Sequence, residues 1–273
     1  MLPVTVVIPC YNAAHTLARA LDSCIAQPEA AQILVADDAS TDASSDVVRH
    51  YAQHDARVEL LPMPSNGGAA RARNWAAQHA TQPLLAFLDA DDEYLPGALA
   101  AASGFLDAHP RQASVRLDVE FADFPPQITA HPAFASLGAQ LSNTVPSSLV
   151  IRREAFAALG GFPPDEFFRR HGGEDGPLAL ALRSAFGNPR LADARRVRMH
   201  YHPGIHAERY FRISMGMQAL PARLFEQMAA LSQQCAARAV ASVEALRGFD
   251  APAAAPCNPP VTPAQNPGCQ AST

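Results

Sequence analysis

Leu84-Leu85-Ala86-Phe87-Leu88-Asp89-Ala90-Asp91-Asp92 is a short apolar run that stops in three carboxylates, with Glu93 and Tyr94 behind it. A run of this length, bounded by breaking signals on both sides, predicts a buried strand rather than a helix. Such a strand delivers Asp89 and Asp91 to its end, where open α/β sheets place their ligands. Side chains alternate along an extended segment, so Asp89 and Asp91 share a face while Ala90 points away. Carboxylates this close repel one another unless a cation lies between them, and hard oxygen donors suit Mg²⁺ or Mn²⁺. An isolated D-x-D also fits a solvated acidic turn, so the surrounding sequence has to decide.

Upstream, strand and helix signals alternate. Val4–Ile8 is a β-branched run; Leu17, Leu21, Cys24 and Ile25 follow at helical spacing, and Pro28 closes that segment. Ile33–Ala36 predicts a second strand ending at Asp37-Asp38, Ser40-Thr41-Asp42 supplies helix caps, and Val47, Val48 and Tyr51 form the next apolar face. Val58–Leu61 is a third strand, and Gly68–His79 a third helix after the Ser65-Asn66-Gly67-Gly68 turn. Strands alternating with helices imply a largely parallel sheet covered on both faces.

Downstream the pattern weakens. Residues 110–146 predict a weak strand near Val115–Phe121 and then irregular structure. Ser148–Ile151 predicts a strand, Ala155–Leu159 a short helix stopped by Gly160-Gly161, Glu174–Ala185 a helix, and Val197–Tyr201 a last strand. From about Ala207 to Leu246 the pattern is helical, in one or two pieces. Its stripe of Leu220, Leu224, Met228, Leu231 and Cys235 either packs on its own domain or makes a homodimer contact. Residues 250–273, rich in Pro and Ala, predict a disordered tail.

The 273 residues suffice for one large α/β domain with appendages, and 48% hydrophobic content supports a sizeable core. All 21 basic residues are Arg, so no mechanism needing a lysine nucleophile or phosphate-binding lysine operates here. A net charge of −5 argues against a nucleic-acid partner, which calls for a basic footprint. No apolar run approaches a membrane span of roughly 18–20 residues. Met1-Leu2-Pro3-Val4 leads straight into a strand without room for a signal peptide. Five scattered cysteines give neither a disulfide framework nor metal-ligand spacing. The expectation is a reduced, cytoplasmic protein, free or peripheral to the inner face of a membrane.

Further motifs stand in order along the chain. Val6-Val7-Ile8-Pro9-Cys10-Tyr11-Asn12 is followed by Leu34-Val35-Ala36-Asp37-Asp38-Ala39-Ser40-Thr41-Asp42, then Asn66-Gly67-Gly68 with Ala72-Arg73-Asn74. After the D-x-D come Gly172-Gly173-Glu174-Asp175 and His200-Tyr201-His202-Pro203-Gly204. Together they resemble a family 2 glycosyltransferase with the GT-A fold, a Rossmann-like, mostly parallel mixed sheet flanked by helices. The resemblance is dense over residues 4–100, returns at 147–182 and near 200, and is absent from the tail. It implies a GT-A domain over 1–205, with a nucleotide-binding half (1–100) and an acceptor half (101–205). A C-terminal helical extension then covers 206–249.

The implied activity is metal-dependent, inverting transfer from a nucleotide diphosphate sugar, UDP-linked by preference, to a hydroxyl of a glycan, lipid-linked or other acceptor. By resemblance, Asp38 faces the base, Pro9 and Tyr11 begin the base pocket, Arg73 contacts the nucleotide, and Asp89 lies toward the ribose. Asp37 braces its turn. Asp91 is the metal ligand, joined by His202, although His200 and His206 compete for that place; Asp92 is expected to cap a helix starting near Pro96. Mn²⁺ or Mg²⁺ is the implied cofactor. Asp175 is the implied general base and Glu174 its brace, whereas the residues alone also allow the pair to cap a helix.

Arg169-Arg170 and Arg195-Arg196 with Arg198 either meet an anionic acceptor or are solvated surface. The chain has no G-x-G-x-x-G or Walker lysine, and lacks the Gln-x-x-Arg-Trp motif of processive synthases. Two alternatives remain: a non-catalytic nucleotide-sugar-binding module, and a nucleotidyltransferase on a related sheet.

Overall fold

The computed structural model describes residues 1–249, so the tail expected at 250–273 lies outside the described residues. The elements run β1 (Val4–Cys10), α1 (Leu17–Ile25), β2 (Ala30–Asp37), α2 (Ser44–His54), β3 (Val58–Pro62), α3 (Ala69–Gln78) and β4 (Leu84–Phe87). Then come β5 (Asp92–Tyr94), α4 (Ala98–Ala108), β6 (Ser114–Ala122), α5 (Pro126–Thr129), α6 (Phe134–Leu141) and a 3₁₀ turn at Pro146–Ser148. The chain continues through β7 (Leu149–Arg152), α7 (Arg153–Ala158), α8 (Glu166–His171), α9 (Asp175–Ala185), β8 (Arg190–His200), α10 (His206–Ser214) and α11 (Ala222–Phe249).

All eight strands form one sheet in the order β3-β2-β1-β4-β7-β6-β8-β5. Strands β1 to β4 run parallel with β1 central, whereas β7 is antiparallel to both β4 and β6, and β5 is antiparallel to β8. β1, β2 and β4 are largely apolar because both their faces are buried, whereas β3 at the edge of the sheet exposes Glu59 and Pro62. Val4, Val6 and Ile8 of β1 join one core with Leu84 and Ala86 of β4, under α1, α2 and α4. Val7, Leu85 and Phe87 point into the other, with α3, α7, α9 and α11. Order 3-2-1-4 reverses direction at β1, so the crevice beyond the β1 and β4 C-terminal ends is the expected ligand edge.

The middle of the chain is more ordered than its sequence predicts. β6 is a full interior strand of nine residues, and α5 and α6 replace the expected irregular structure. Buried Arg116 and Asp118 interrupt the apolar pattern of β6, and α6 packs Gly138 against the Phe121 ring, where an added Cβ would lie 3.0 Å from Cε2. β8 starts seven residues earlier than the expected strand at Val197, because its first half is polar and exposed. The three-residue edge strand β5 carries too short a signal to read.

The helical stretch is indeed two pieces. α11 packs against α9 and α7, burying Ala236 and Val243, while Leu224, Met228, Leu231 and Cys235 are half-buried. Among the described residues no helix is long and apolar enough to cross a membrane.

Candidate active site

β1, β2 and β4 end side by side, and the polar residues after each strand meet there. Near the end of β1 Pro9 is half-buried, and just beyond the strand the Tyr11 ring is 51% exposed at the rim of the crevice. Asn12 ties this loop to the next: its N–H donates to Ser40 Oγ (2.9 Å), and its Oδ1 accepts from the Thr41 N–H (2.8 Å). After β2, Asp37 accepts from the Ser40 N–H (3.0 Å) and from Ser45 Oγ, the bracing role its sequence position predicts. Ala39 completes this turn with φ of 59°, in the left-handed region that favours glycine.

Asp38 is buried, with Oδ1 accepting from the Gly67 N–H (2.6 Å) and Oδ2 from the Gly68 N–H (2.7 Å). It therefore locks the glycine turn ahead of α3. Gly68 needs its φ of 84° there, and a Cβ on it would press on the Arg169 stem at 3.1 Å.

Arg73, on the buried face of α3, joins two distant parts of the chain. Its Nη2 donates to Asp89 Oδ1 (2.6 Å) and its Nη1 to Glu174 Oε1 (2.9 Å), 16 and 101 residues away in sequence. The guanidinium also lies 5.1 Å from the Phe162 ring centroid. Burial works against its charge, but the two carboxylates outweigh burial and hold Arg73 firmly protonated. Burial also acts on Glu174, yet Arg73 brings that carboxyl below its usual range. Asp89 stays raised, because burial and neighbouring Asp91 exceed what Arg73 restores.

Asp91 lies between Asp89 and Asp92 in the turn leaving β4. Its Oδ2 is 2.8 Å from His202 Nε2, across 111 residues. The competing histidines are elsewhere: His200 bonds Glu93 (3.1 Å), and His206 lies against Gly172, where an added Cβ would be 2.5 Å from Cε1. Arg19 of α1 donates to the Asp91 carbonyl (2.5 Å) and anchors the turn from the opposite side.

Asp92 corrects an expectation. It does not cap a helix but lies buried at the start of β5, accepting from Ser147 Oγ at 2.6 Å. Burial, reinforced by Asp91 and Asp89, holds it well above the ordinary carboxylate range. No group of three His, Cys, Asp or Glu side chains converges to hold a metal among the described residues. Asp91 and His202 offer two ligands of types Mn²⁺ accepts, and a cation of this kind usually takes its remaining oxygens from substrate phosphates and water. The donor set thus fits a divalent ion that arrives with a diphosphate.

Glu174 and Asp175 open α9, and neither side chain caps it. The pair does occupy the N-cap and first position of α9, but Glu174 is held by Arg73 rather than by the helix amides, and Asp175 makes no side-chain hydrogen bond among the described residues. Burial, and then the Glu174 charge, raise Asp175 to about 6, against the pull of Arg73 and Arg116. Next to Glu174 opens a cavity of about 200 Å³ lined by Gly67, Gly68, Asp165, Arg169, Gly172 and His206.

The arginine clusters are neutralised locally. Arg169 and Arg170 pair with Glu166, Arg195 with Asp118, Arg196 with Asp193, and Arg198 with Glu93 and Glu120. Sequence reasoning missed Arg19, Arg116 and Ser147. The turn-forming Val145-Pro146-Ser147-Ser148 marks a bend, but nothing in it says that one hydroxyl meets two residues of the acidic turn.

This architecture, with carboxylates gathered at the ends of β2 and β4 and facing a Glu-Asp pair, is the GT-A fold. Residues 5–159 match the model of "Glycosyl transferase family 2", more than half of the chain, and the chain belongs to that family. It is 44% identical over 96 residues to the succinoglycan biosynthesis protein ExoU of Rhizobium meliloti, a stretch covering 35% of this chain and 28% of ExoU. The chain spans at most about half the length of the curated relatives it matches.

Among solved structures it is similar to S. aureus TarS in complex with UDP-GlcNAc, with a TM-score of 0.63 and 18% identity over 92% of this chain and 73% of that one. It is also similar to the mannosyltransferase PcManGT of Pyrobaculum calidifontis in complex with GDP-Man and Mn²⁺, with a TM-score of 0.59 and 21% identity over 93% and 76%.

Proposed function

We propose that this protein is a metal-dependent, inverting glycosyltransferase that moves a sugar from a nucleotide diphosphate donor, UDP-linked by preference, to an acceptor hydroxyl. The observation that carries the reading is the Arg73 bridge. By holding Asp89 and Glu174 on one guanidinium, it joins the D-x-D turn to the Glu-Asp pair.

In this reading Pro9 and the exposed Tyr11 ring border the base, and Asp38 shapes the base pocket by locking the Asn66–Gly68 turn. Asp89 lies toward the ribose. Arg73 acts on the nucleotide side chiefly by holding Asp89 in place. Mn²⁺ or Mg²⁺, held by Asp91 and His202, would neutralise the charge that grows on the diphosphate as it leaves.

Asp175 takes the acceptor proton onto a carboxylate oxygen while the hydroxyl oxygen bonds to the anomeric carbon and the bond to the diphosphate oxygen breaks. One displacement inverts that carbon. A carboxyl at about 6 is ionised at neutral pH yet a better base than an ordinary aspartate. The 1–100 and 101–205 halves then correspond to donor and acceptor sides of one sheet, with 206–249 as an appended helical part. The acceptor hydroxyl belongs to a glycan, a lipid-linked molecule or another acceptor.

The relatives support this reading: ExoU is named for succinoglycan biosynthesis, and the structural neighbours were solved with a UDP-sugar and with a GDP-sugar and Mn²⁺. A panel of nucleotides and nucleotide sugars tests it by thermal shift, with and without Mn²⁺. A ligand that binds only the folded state raises the melting temperature. A Mn²⁺-dependent rise with UDP or a UDP-sugar is expected; no shift with any nucleotide would refute the donor assignment.

A further inference from the structure

Among the described residues the largest fully buried side chain is a cation, Arg116, 1% exposed in the interior strand β6. No carboxylate lies within ion-pair distance of it among the described residues. Its donors go to neutral oxygens instead: Nε to Asn188 Oδ1 (3.1 Å), and Nη1 to the carbonyls of Thr144 (3.1 Å) and Val145 (2.9 Å) and to Ser148 Oγ (3.2 Å). An unpaired buried charge is strongly disfavoured unless surrounding dipoles are fixed to receive it. Burial accordingly lowers Arg116 to about 10, with the charge of Asp175 acting in the other direction. An apolar residue would fill the same interior without that penalty, so the charge has another use.

Three of those four acceptors belong to the segment 144–148, which contains the Pro146–Ser148 turn. Between them stands Ser147, buried, whose Oγ accepts from the Asp89 N–H (3.1 Å) and donates to Asp92 Oδ2 (2.6 Å). One hydroxyl therefore joins both ends of the turn Asp89–Asp92, which is itself closed by the Asp92 N–H on the Asp89 carbonyl (3.0 Å). Asp91, facing His202, is carried on the turn so clamped.

We infer that Arg116 is a positioning residue: from β6, two strands from β4 in the sheet, it fixes the 144–148 segment so that Ser147 staples the Asp89–Asp92 turn and sets the direction of Asp91. Its consequence for the metal rests on the function proposed above. The staple itself does not.

The test compares wild type with Arg116→Lys, Arg116→Met, Ser147→Ala and the Arg116→Lys/Ser147→Ala double variant. Global stability is read by urea denaturation, and Asp89 amide exchange by NMR. Half-saturation by Mn²⁺ is read from Mn²⁺-dependent UDP binding. If Arg116→Met does not fold, Arg116→Lys keeps the cation and loses the fork geometry.

Relative to wild type at matched global stability, the Asp89 amide should exchange at least tenfold faster in Arg116→Lys and in Ser147→Ala. The double variant should add little, because both changes cut one chain of contacts. Mn²⁺ half-saturation should rise about fivefold or more. Wild-type exchange at Asp89 in folded Arg116→Lys overturns the inference. If Asp89 responds while no protein, wild type included, responds to Mn²⁺, the staple stands and the metal reading falls.

Discussion

Replacing Arg73 with Met removes the guanidinium from between Asp89 and Glu174 and keeps an apolar body against Phe162. Arg73 is 4% exposed and its partners are 27% and 18% exposed, so the variant leaves two poorly solvated carboxylates without their cation. Removing one partner of a buried pair destabilises by about 3–5 kcal/mol. Partial water access to Asp89 places the expected loss at pH 7 near the lower end, about 3 kcal/mol.

The pH dependence follows from the direction of each shift. In the wild type Glu174 is held below its ordinary value, so its contribution is present above the unfolded pKa and lost as pH falls through the folded one. In the variant both carboxyls lie above their unfolded values, near 4. The folded state then binds protons more tightly, and the destabilisation shrinks as pH falls from 7 to 5. One proton taken up across that window restores at most about 2.7 kcal/mol, at about 1.36 kcal/mol per unit. Urea denaturation followed by circular dichroism at both pH values measures this. A loss below about 1 kcal/mol, or an equal loss at pH 7 and pH 5, would show that the bridge does not govern the ionisation of these carboxyls.

Asp175→Asn should slow sugar transfer by about 10²–10⁴-fold with nucleotide binding intact, since a general base is lost and no charge is left unpaired; unchanged turnover removes Asp175 from the reaction. In the wild type kcat/KM should fall with acidity below a limb near pH 6, as Asp175, raised to about 6, takes up its proton; a profile flat down to pH 5 contradicts the assignment. His202→Ala and Asp91→Ala should each raise Mn²⁺ half-saturation by about tenfold or more, as loss of one of two protein ligands requires; a variant saturating at the wild-type concentration locates the ion elsewhere. Ala39→Gly should raise stability by about 1 kcal/mol, because φ of 59° carries a Cβ penalty that glycine lacks; a destabilised variant would refute strain at that turn.

Much of the parallel half was legible because β1, β2 and β4 are largely apolar on both faces and each helix presents one apolar stripe. Val4–Ile8, Ile33–Ala36 and Leu84–Leu88 coincide with β1, β2 and β4 to within a few residues. Beyond residue 110 the code is mixed. β6 buries a charged arginine whose partners are carbonyls more than twenty residues away, and half of β8 faces solvent. A window of local hydropathy sees neither.

The same division runs through the site. Asp37, Asp38, Asp89, Asp91 and Asp175 could be placed at strand ends and a helix start from local pattern, and the family resemblance singled them out among such residues. What each carboxylate bonds was not. That Asp38 closes on two glycine amides and that His202 rather than His200 or His206 meets Asp91 depend on which strands become neighbours.

The order of residues by itself determined an α/β chain with acidic side chains at two strand ends and a Glu-Asp pair opening a later helix, because period and punctuation are local properties. Only the tertiary structure decided that Arg73 spans 101 residues to join the two acidic groups and that β5 and β8 close the far edge of the sheet. Ion pairs and strand neighbours are set by chain crossings, and the free energy of a crossing belongs to the packed whole rather than to any segment of it.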